Sequence, residues 1–276
     1  MRIDAHQHFW HFDPVRDSWI TEEMSVIRKD FLPRDLEPLL AREDIQGTVA
    51  VQADQSEDET RFLLELSEQH PFIMGVVGWV DLLASNLRER LEHFSEFERF
   101  KGVRHIARAE SDHFLARGDV VRRIGMLAEF DLTYDILVYQ HQLPAVLSLV
   151  RRLPDQPFVL DHMAKPLIGE GIVEPWATHM KELASHGNVC CKVSGMVTEA
   201  KWAGWSPQDL GPYLDVVFEA FGPHRLMFGS DWPVCLLAAE YGDVMASVQA
   251  YARGLSESEQ EGIFGENAVR FYNLRV

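Results

Sequence analysis

Near its start the chain reads Ile3-Asp4-Ala5-His6-Gln7-His8, a short β-prone run that ends in two histidines one residue apart. Side chains alternate along a strand, so this spacing predicts His6 and His8 on one face, together with Asp4. Seven further runs of this kind begin near Thr48, Ile73, Gly102, Tyr134, Phe158, Val189 and Leu226, each 24 to 45 residues after the one before. Helical patterns fill the intervals. Ser56 with Glu59 forms a capping box opening residues 57–70, where Phe62, Leu63 and Leu66 share an apolar stripe. Ser206 precedes Pro207 at a first-turn position, Gly222-Pro223 ends that helix, and Ser256 with Glu259 opens the last one. Others are expected around 86–98, 119–130, 141–152, 173–186 and 240–253. Strands so spaced, with helices between them, are parallel and joined by crossovers. Eight of them predict the α/β class and a (β/α)8 TIM barrel, in a single domain over 1–276. An open doubly wound sheet would need a Gly-rich turn after the first strand, and none is there. Residues 9–47 are too many for one helix. Their Trp10, Trp19, Phe31, Pro14, Pro33 and Pro38 predict an elaborated loop region packed above the barrel mouth, where substrate loops belong.

Charge excludes two classes of partner. The 276 residues carry 43 acidic and 26 basic side chains, a formal charge of −17, which leaves no basic face for nucleic acid or an anionic membrane. No apolar run reaches the roughly 20 residues of a spanning helix, and Met1–His11 lacks the regions of a signal peptide. The expected location is cytoplasmic and the expected partner a small molecule. Cys190, Cys191 and Cys235 are too few for a disulfide framework and read as core or near-site thiols.

In such a barrel the chemistry sits where strands end. Strand six, Phe158-Val-Leu-Asp161-His162-Met163, places His162 at its end and alternates Asp161 to the other face. Strand eight, Leu226-Met-Phe-Gly229-Ser-Asp231-Trp-Pro233, leaves one carboxylate at the barrel top, with Gly229 permitting close backbone approach. Inward histidines are costly to bury without a task, so His6, His8, His162 and Asp231 are the candidate catalytic residues.

These motifs, in this order, resemble the amidohydrolase superfamily. Lys101-Gly-Val-Arg104-His105, Leu160-Asp-His-Met-Ala-Lys165-Pro166 and Val193-Ser-Gly-Met-Val-Thr198-Glu-Ala-Lys-Trp202 resemble its lactonase branch, which includes L-fuconolactone and L-rhamnonolactone hydrolases, 4-sulfomuconolactonase and 2-pyrone-4,6-dicarboxylate lactonase. The resemblance spans the chain and implies an amidohydrolase-type barrel that hydrolyses a carboxylic ester. Binuclear members carry a bridging lysine at the end of strand four and a histidine on strand five. Here Lys101 starts strand four, and strand five, Leu132 to Tyr139, has no histidine, so a two-metal site is not expected. His6, His8, His162 and Asp231 suit one zinc-like divalent ion, because three neutral imidazoles and a carboxylate are zinc ligands. The resemblance implies that several lactonases of this branch need no metal, so the ion is expected to be optional and no cofactor required.

The expected mechanism has Asp231 as general base on a water, with His6, His8 and His162 polarising the lactone carbonyl. Gln52, Trp79, Arg104, Asp135, Lys165 and Trp202, with Trp205, fall where βα loops meet the pocket. Aromatic faces with a few polar groups suit a polyhydroxylated ring, although each of these residues also has a plain packing or pairing reading. Dicarboxylate lactonases clamp anions with additional arginines, and here strand four offers only Arg104 and Arg108. This favours a neutral sugar lactone, as in L-fucose degradation, over a muconolactone or a pyrone dicarboxylate. The remaining alternatives are a zinc-dependent decarboxylase of the aminocarboxymuconate semialdehyde type, which needs a tightly held ion, and a binder that has lost catalysis, against which the intact histidine–aspartate set speaks.

Overall fold

A computed structural model describes all 276 residues. Eight parallel strands follow one another in chain order: β1 (Ile3–Gln7), β2 (Gly47–Val51), β3 (Ile73–Gly78), β4 (Phe100–His105), β5 (Thr133–Ile136), β6 (Phe158–Leu160), β7 (Val189–Val193) and β8 (Leu226–Phe228). The circle closes at the mouth. Asp231 N donates to His6 O at 2.9 Å and His8 N to Trp232 O at 2.7 Å, joining the ends of β1 and β8. This is the (β/α)8 barrel that the strand spacing predicts.

The first helices of the outer ring are α1 (Pro33–Arg42), α2 (Glu57–Gln69), α3 (Leu87–Ser95), α4 (Gly118–Ile124), α5 (Leu143–Arg152) and α6 (Trp176–Ala184). The short α7 (Met196–Glu199) precedes α8 (Pro207–Phe221) and α9 (Tyr241–Ala252), and α10 (Glu257–Glu261) runs through a π turn into α11 (Asn267–Phe271). The helix expected over 119–130 is divided at Gly125, where an added Cβ would lie 2.9 Å from Leu153, and continues as a 3-10 turn over Leu127–Phe130. Ser56 caps α2 by accepting from Glu59 N at 3.2 Å. The Glu59 carboxylate does not complete the predicted box; it accepts from Ala53 N and Asp54 N and so anchors the loop after β2.

The floor of the barrel is apolar. Ile3, Ala5, Val49, Val51, Val77, Val159 and Met227 point inward there, and Ala268, Tyr272 and Leu274 from the C-terminal segment plug the space between them. Between β1 and β2 the chain forms a 3-10 turn (Glu22–Ile27), whose Met24 lies above the mouth with Trp19, before it enters α1 of the outer ring. Trp10 and Phe31 exchange backbone hydrogen bonds of 3.0 and 2.9 Å, while Trp19 stands edge-on to Trp10 and Phe31 edge-on to Trp232. No helix is long and apolar enough to cross a membrane. The three cysteines are free; Cys191 and Cys235 are buried and Cys190 is half-buried.

One strand departs from simple alternation. Between Asp4 and Gln7 the register of β1 against β2 slips, the mark of a bulge. Below it Ile3 and Ala5 face inward; above it His6 and His8 do. Asp4 therefore does not share their face, as strict alternation predicts. Its carboxylate accepts from Ser230 Oγ at 2.6 Å and from the hydroxyl of Tyr241, on the outer helix α9, at 3.0 Å. The extra residue turns His6 into the mouth without tilting the whole strand.

Candidate active site

Three imidazoles and one carboxylate converge at the mouth. His8 Nε2 is 3.2 Å from His6 Nε2, and Asp231 Oδ1 lies 3.4 Å from His8 Nε2, 3.7 Å from His162 Nε2 and 3.8 Å from His6 Nε2. Each ring is oriented through its other nitrogen. His8 Nδ1 donates to Val51 O at 2.7 Å, His162 Nδ1 meets Ser194 Oγ at 2.9 Å, and His6 Nδ1 meets Lys192 Nζ at 3.1 Å. Burial holds the His6 and His162 rings well below the usual histidine range and also lowers His8, which favours neutral imidazoles. A neutral His8 that spends its proton on Val51 O presents only a lone pair at Nε2. Burial works against ionisation of Asp231, but the neighbouring His162, His8 and Lys165 outweigh it and set its carboxyl at about 2.

Unusual backbone makes this convergence possible. His162, Met163, Ala164 and Lys165 all have positive φ, between 50° and 58°, and Asp231 sits at 58°. A run of left-handed residues is strained, and such strain persists where the surroundings fix it, commonly at functional sites. It also overturns the expected division of Asp161 and His162 between two faces. Asp161 follows the strand's inward parity, and the left-handed turn after it swings His162 inward as well. Two glycines make room: a Cβ on Gly229 would lie 2.7 Å from His6 Cβ, and one on Gly195, itself at φ 63°, would lie 2.7 Å from the His162 ring.

A second polar layer lies directly beneath. Lys192 on β7 is fully buried, with Nζ 2.6 Å from Asp135 Oδ2 and 3.0 Å from Asp161 Oδ1. Asp135 also accepts from Tyr272 OH at 2.7 Å, and Asp161 Oδ2 faces Arg104 Nη1 at 3.2 Å. Lys192 first, and Arg104, keep Asp161 ionised far below the usual carboxylate range despite its burial. Sequence reasoning passed over Lys192, although a lysine inside Val189-Cys-Cys-Lys-Val193 requires a buried partner.

A cavity of about 550 Å³ opens above the convergence point. Arg104, Lys165 and Trp202 line it with His8, His162 and Asp231, as the sequence predicts. Gln52, Trp79 and Asp135 do not. Gln52 braces Arg104, donating to Arg104 O at 3.0 Å and accepting its guanidinium; Trp79 Nε1 donates to His105 at 3.3 Å; Asp135 belongs to the layer below. Trp205 likewise turns away, donating to Ala238 O at 2.8 Å. Gln55, Tyr139 and Met24 line the wall without having been singled out in the sequence, and Trp19 reaches in from the first loop. Two of the lining cations are engaged: Arg104 with Asp161, and Lys165 with Glu199. Arg108 has no carboxylate partner and lies over the Tyr139 ring at 5.9 Å.

The donor set suits one zinc-type ion. Ligand atoms around a tetrahedral zinc with bonds of about 2.0–2.1 Å lie about 3.3–3.4 Å apart. His6, His8 and Asp231 lie 3.2 to 3.8 Å from one another and bracket that edge, and His162 meets the same Asp231 oxygen at 3.7 Å. Val51 O and Ser194 Oγ are outer partners at Nδ1 of the kind that orients a ligating histidine for His8 and His162, and Asp161 Oδ1 stands 3.3 Å from Nδ1 of His6.

Residues 3–274 match the family model described as amidohydrolase. The chain is 41% identical to an L-fucono-1,5-lactonase of Burkholderia multivorans over 286 aligned positions, covering 99% of this chain and 96% of that protein. Crystal structures of an amidohydrolase from Burkholderia multivorans, one with HEPES bound and one with zinc bound, each superpose with a TM-score of 0.95 at 41% identity, over 100% of both chains.

Proposed function

The chain belongs to the amidohydrolase family, and from that premise we propose that it hydrolyses the ring ester of a neutral sugar lactone of the L-fucono-1,5-lactone kind, giving the open aldonic acid. The observation that carries this reading is the convergence of three neutral imidazoles and an ionised Asp231 at the base of a cavity whose cations are largely engaged. The similarity to an L-fucono-1,5-lactonase supports the substrate class.

Opening a lactone requires a water to lose a proton as it attacks, and the ring oxygen to gain one as it leaves. Asp231 Oδ1 faces the point on which the imidazoles converge, so it takes the proton from the attacking water and returns it to the departing oxygen. Its low proton affinity keeps it ready as a base at neutral pH. His8, with its proton committed to Val51 O, acts there as an acceptor that holds the water. Arg104 Nη1, 3.4 Å from His6 Nε2, is a donor beside this centre and suits the developing oxyanion. When a zinc-type ion is held by His6, His8, His162 and Asp231, it supplies Lewis acidity to the ester carbonyl and makes a water more acidic. Trp202, Trp19 and Tyr139 offer faces for the sugar ring, and Gln55 and Thr198 offer polar groups for its hydroxyls.

The test is a pH-indicator assay of the purified protein on L-fucono-1,5-lactone, other aldonolactones, muconolactones and pyrone dicarboxylates, each with and without chelator. Neutral aldonolactones are expected to be opened at least 100-fold more efficiently than dicarboxylates. Turnover of no lactone under either condition overturns the proposal.

A further inference from the structure

Two groups compete for one nitrogen of His6. Lys192 Nζ lies 3.1 Å from His6 Nδ1, and Asp161 Oδ1 lies 3.3 Å from the same atom. An ammonium only donates and an ionised carboxylate only accepts. The single proton of the neutral ring therefore sits on Nε2 when Lys192 is the partner and on Nδ1 when Asp161 is. In the arrangement seen, Lys192 makes the aligned bond, and Asp161 Oδ1, though fully buried, has no hydrogen-bond partner. Its 3.0 Å approach to Lys192 Nζ is an ion contact without hydrogen-bond alignment. A buried acceptor left without a proton is costly, and the donor that would relieve this one is His6 in its other tautomer.

The two tautomers present opposite faces to the cavity. With the proton on Nε2, His6 donates across 3.2 Å to His8 Nε2, whose lone pair is fixed by the bond to Val51 O, and Arg104 Nη1 gives up its longer 3.4 Å approach to His6 Nε2 while keeping its bond to Asp161 Oδ2. With the proton on Nδ1, His6 turns a lone pair toward the same point and joins His8 and Asp231 in one ligand set, with His162 Nε2 3.7 Å from the same Asp231 oxygen. We infer that Lys192 and Asp161 together select the tautomer of His6, and so decide whether the centre stands as a hydrogen-bonded cluster without an ion or as a cation site. Lys192 is then a positioning residue that acts through His6. The ring carries one proton in both forms, so the exchange releases no net proton from it. This selector presupposes the four-residue centre proposed above, but its test requires no lactone.

The measurement is a two-dimensional 15N–1H long-range correlation spectrum of the intact protein labelled with 15N-histidine, His6 being assigned by the loss of its signals in His6→Asn. Without metal, His6 is expected to show the Nε2–H pattern. After one equivalent of zinc chloride it is expected to show Nδ1–H. Zinc affinity, read by competition with a chromogenic chelator, is expected to rise at least tenfold in Lys192→Met and to fall at least tenfold in Asp161→Asn, the range over which outer partners of metal ligands act. A Nδ1–H pattern in the metal-free protein, the same tautomer before and after zinc, or no zinc uptake by the wild type overturns the inference. The wild-type spectra decide it even if Lys192→Met does not fold. Lactone hydrolysis failing while the tautomer switches would sink the proposed function and leave the selector standing.

Discussion

The barrel interior holds two polar layers that touch and differ in kind. In the lower one, donors meet acceptors: Lys192 reaches Asp135 at 2.6 Å, Tyr272 reaches Asp135 at 2.7 Å, and Arg104 reaches Asp161 at 3.2 Å. In the upper one, acceptors face acceptors. His8 Nε2 and Asp231 Oδ1 stand 3.4 Å apart without a proton fixed between them, and His162 Nε2 points at the same oxygen. A buried layer with its charges paired supports a fold. A layer whose lone pairs converge is complete only when water, substrate or a cation enters it, and that is the property of a reaction centre.

Substitutions in the two layers should fail in opposite ways, and the largest effect belongs to the upper one. Asp231→Asn is expected to lower kcat/KM for the lactone by about 10⁴-fold, about 5.5 kcal/mol in barrier height, the upper end of what a general base contributes. Its urea midpoint should barely move, because Asn readily adopts the positive φ of residue 231. More than a tenth of wild-type activity in that variant would erase the distinction between the layers. Lys192→Met reverses the pattern. Leaving Asp135 and Asp161 without their shared ammonium is expected to cost about 3–5 kcal/mol of stability by urea denaturation. An unchanged midpoint would show that the lower layer is not a support. Smaller still, Gly195→Ala places a methyl against the His162 ring on a positive-φ residue and should cost roughly 1–3 kcal/mol. Displacement of His162 should accompany it as a kcat loss larger than any rise in KM.

The upper layer was far more legible in the sequence than the lower. His6-x-His8 and Gly229-Ser230-Asp231 lie at the ends of short apolar runs, and the period of the strand and the spacing of the runs are local signals. The chain turns that complete the site are not. The bulge in β1 gives no sign in Ile3–Gln7, and without it Asp4 is misplaced beside the histidines. The left-handed run from His162 to Lys165 contains no glycine, so nothing in its composition predicts that Asp161 and His162 both point inward. Lys192 meets partners from β5 and β6, and Tyr272 reaches Asp135 across 137 positions, so this layer exists only once the barrel has closed. Gln52 follows the end of β2 and Asp135 lies within β5, but the polarity that suggests substrate contact at both serves Arg104 and Lys192 instead.

Arg108 makes the finest cut, because it tests the substrate through the one lining cation that no carboxylate engages. Arg104 is tied to Asp161 and Lys165 to Glu199, so an anionic substrate would depend on Arg108 for its charge-assisted bonds. A neutral sugar lactone asks only for an ordinary hydrogen bond from it, about 0.5–1.5 kcal/mol. Arg108→Ala is therefore expected to raise KM for the neutral lactone less than about tenfold, with kcat unchanged. A rise above 100-fold would mean that a charged group of the substrate sits against Arg108, and would move the preferred substrate to the carboxylated lactones. A compensating gain for dicarboxylates in Lys165→Ala is not expected either, since that change would free Glu199 to repel them.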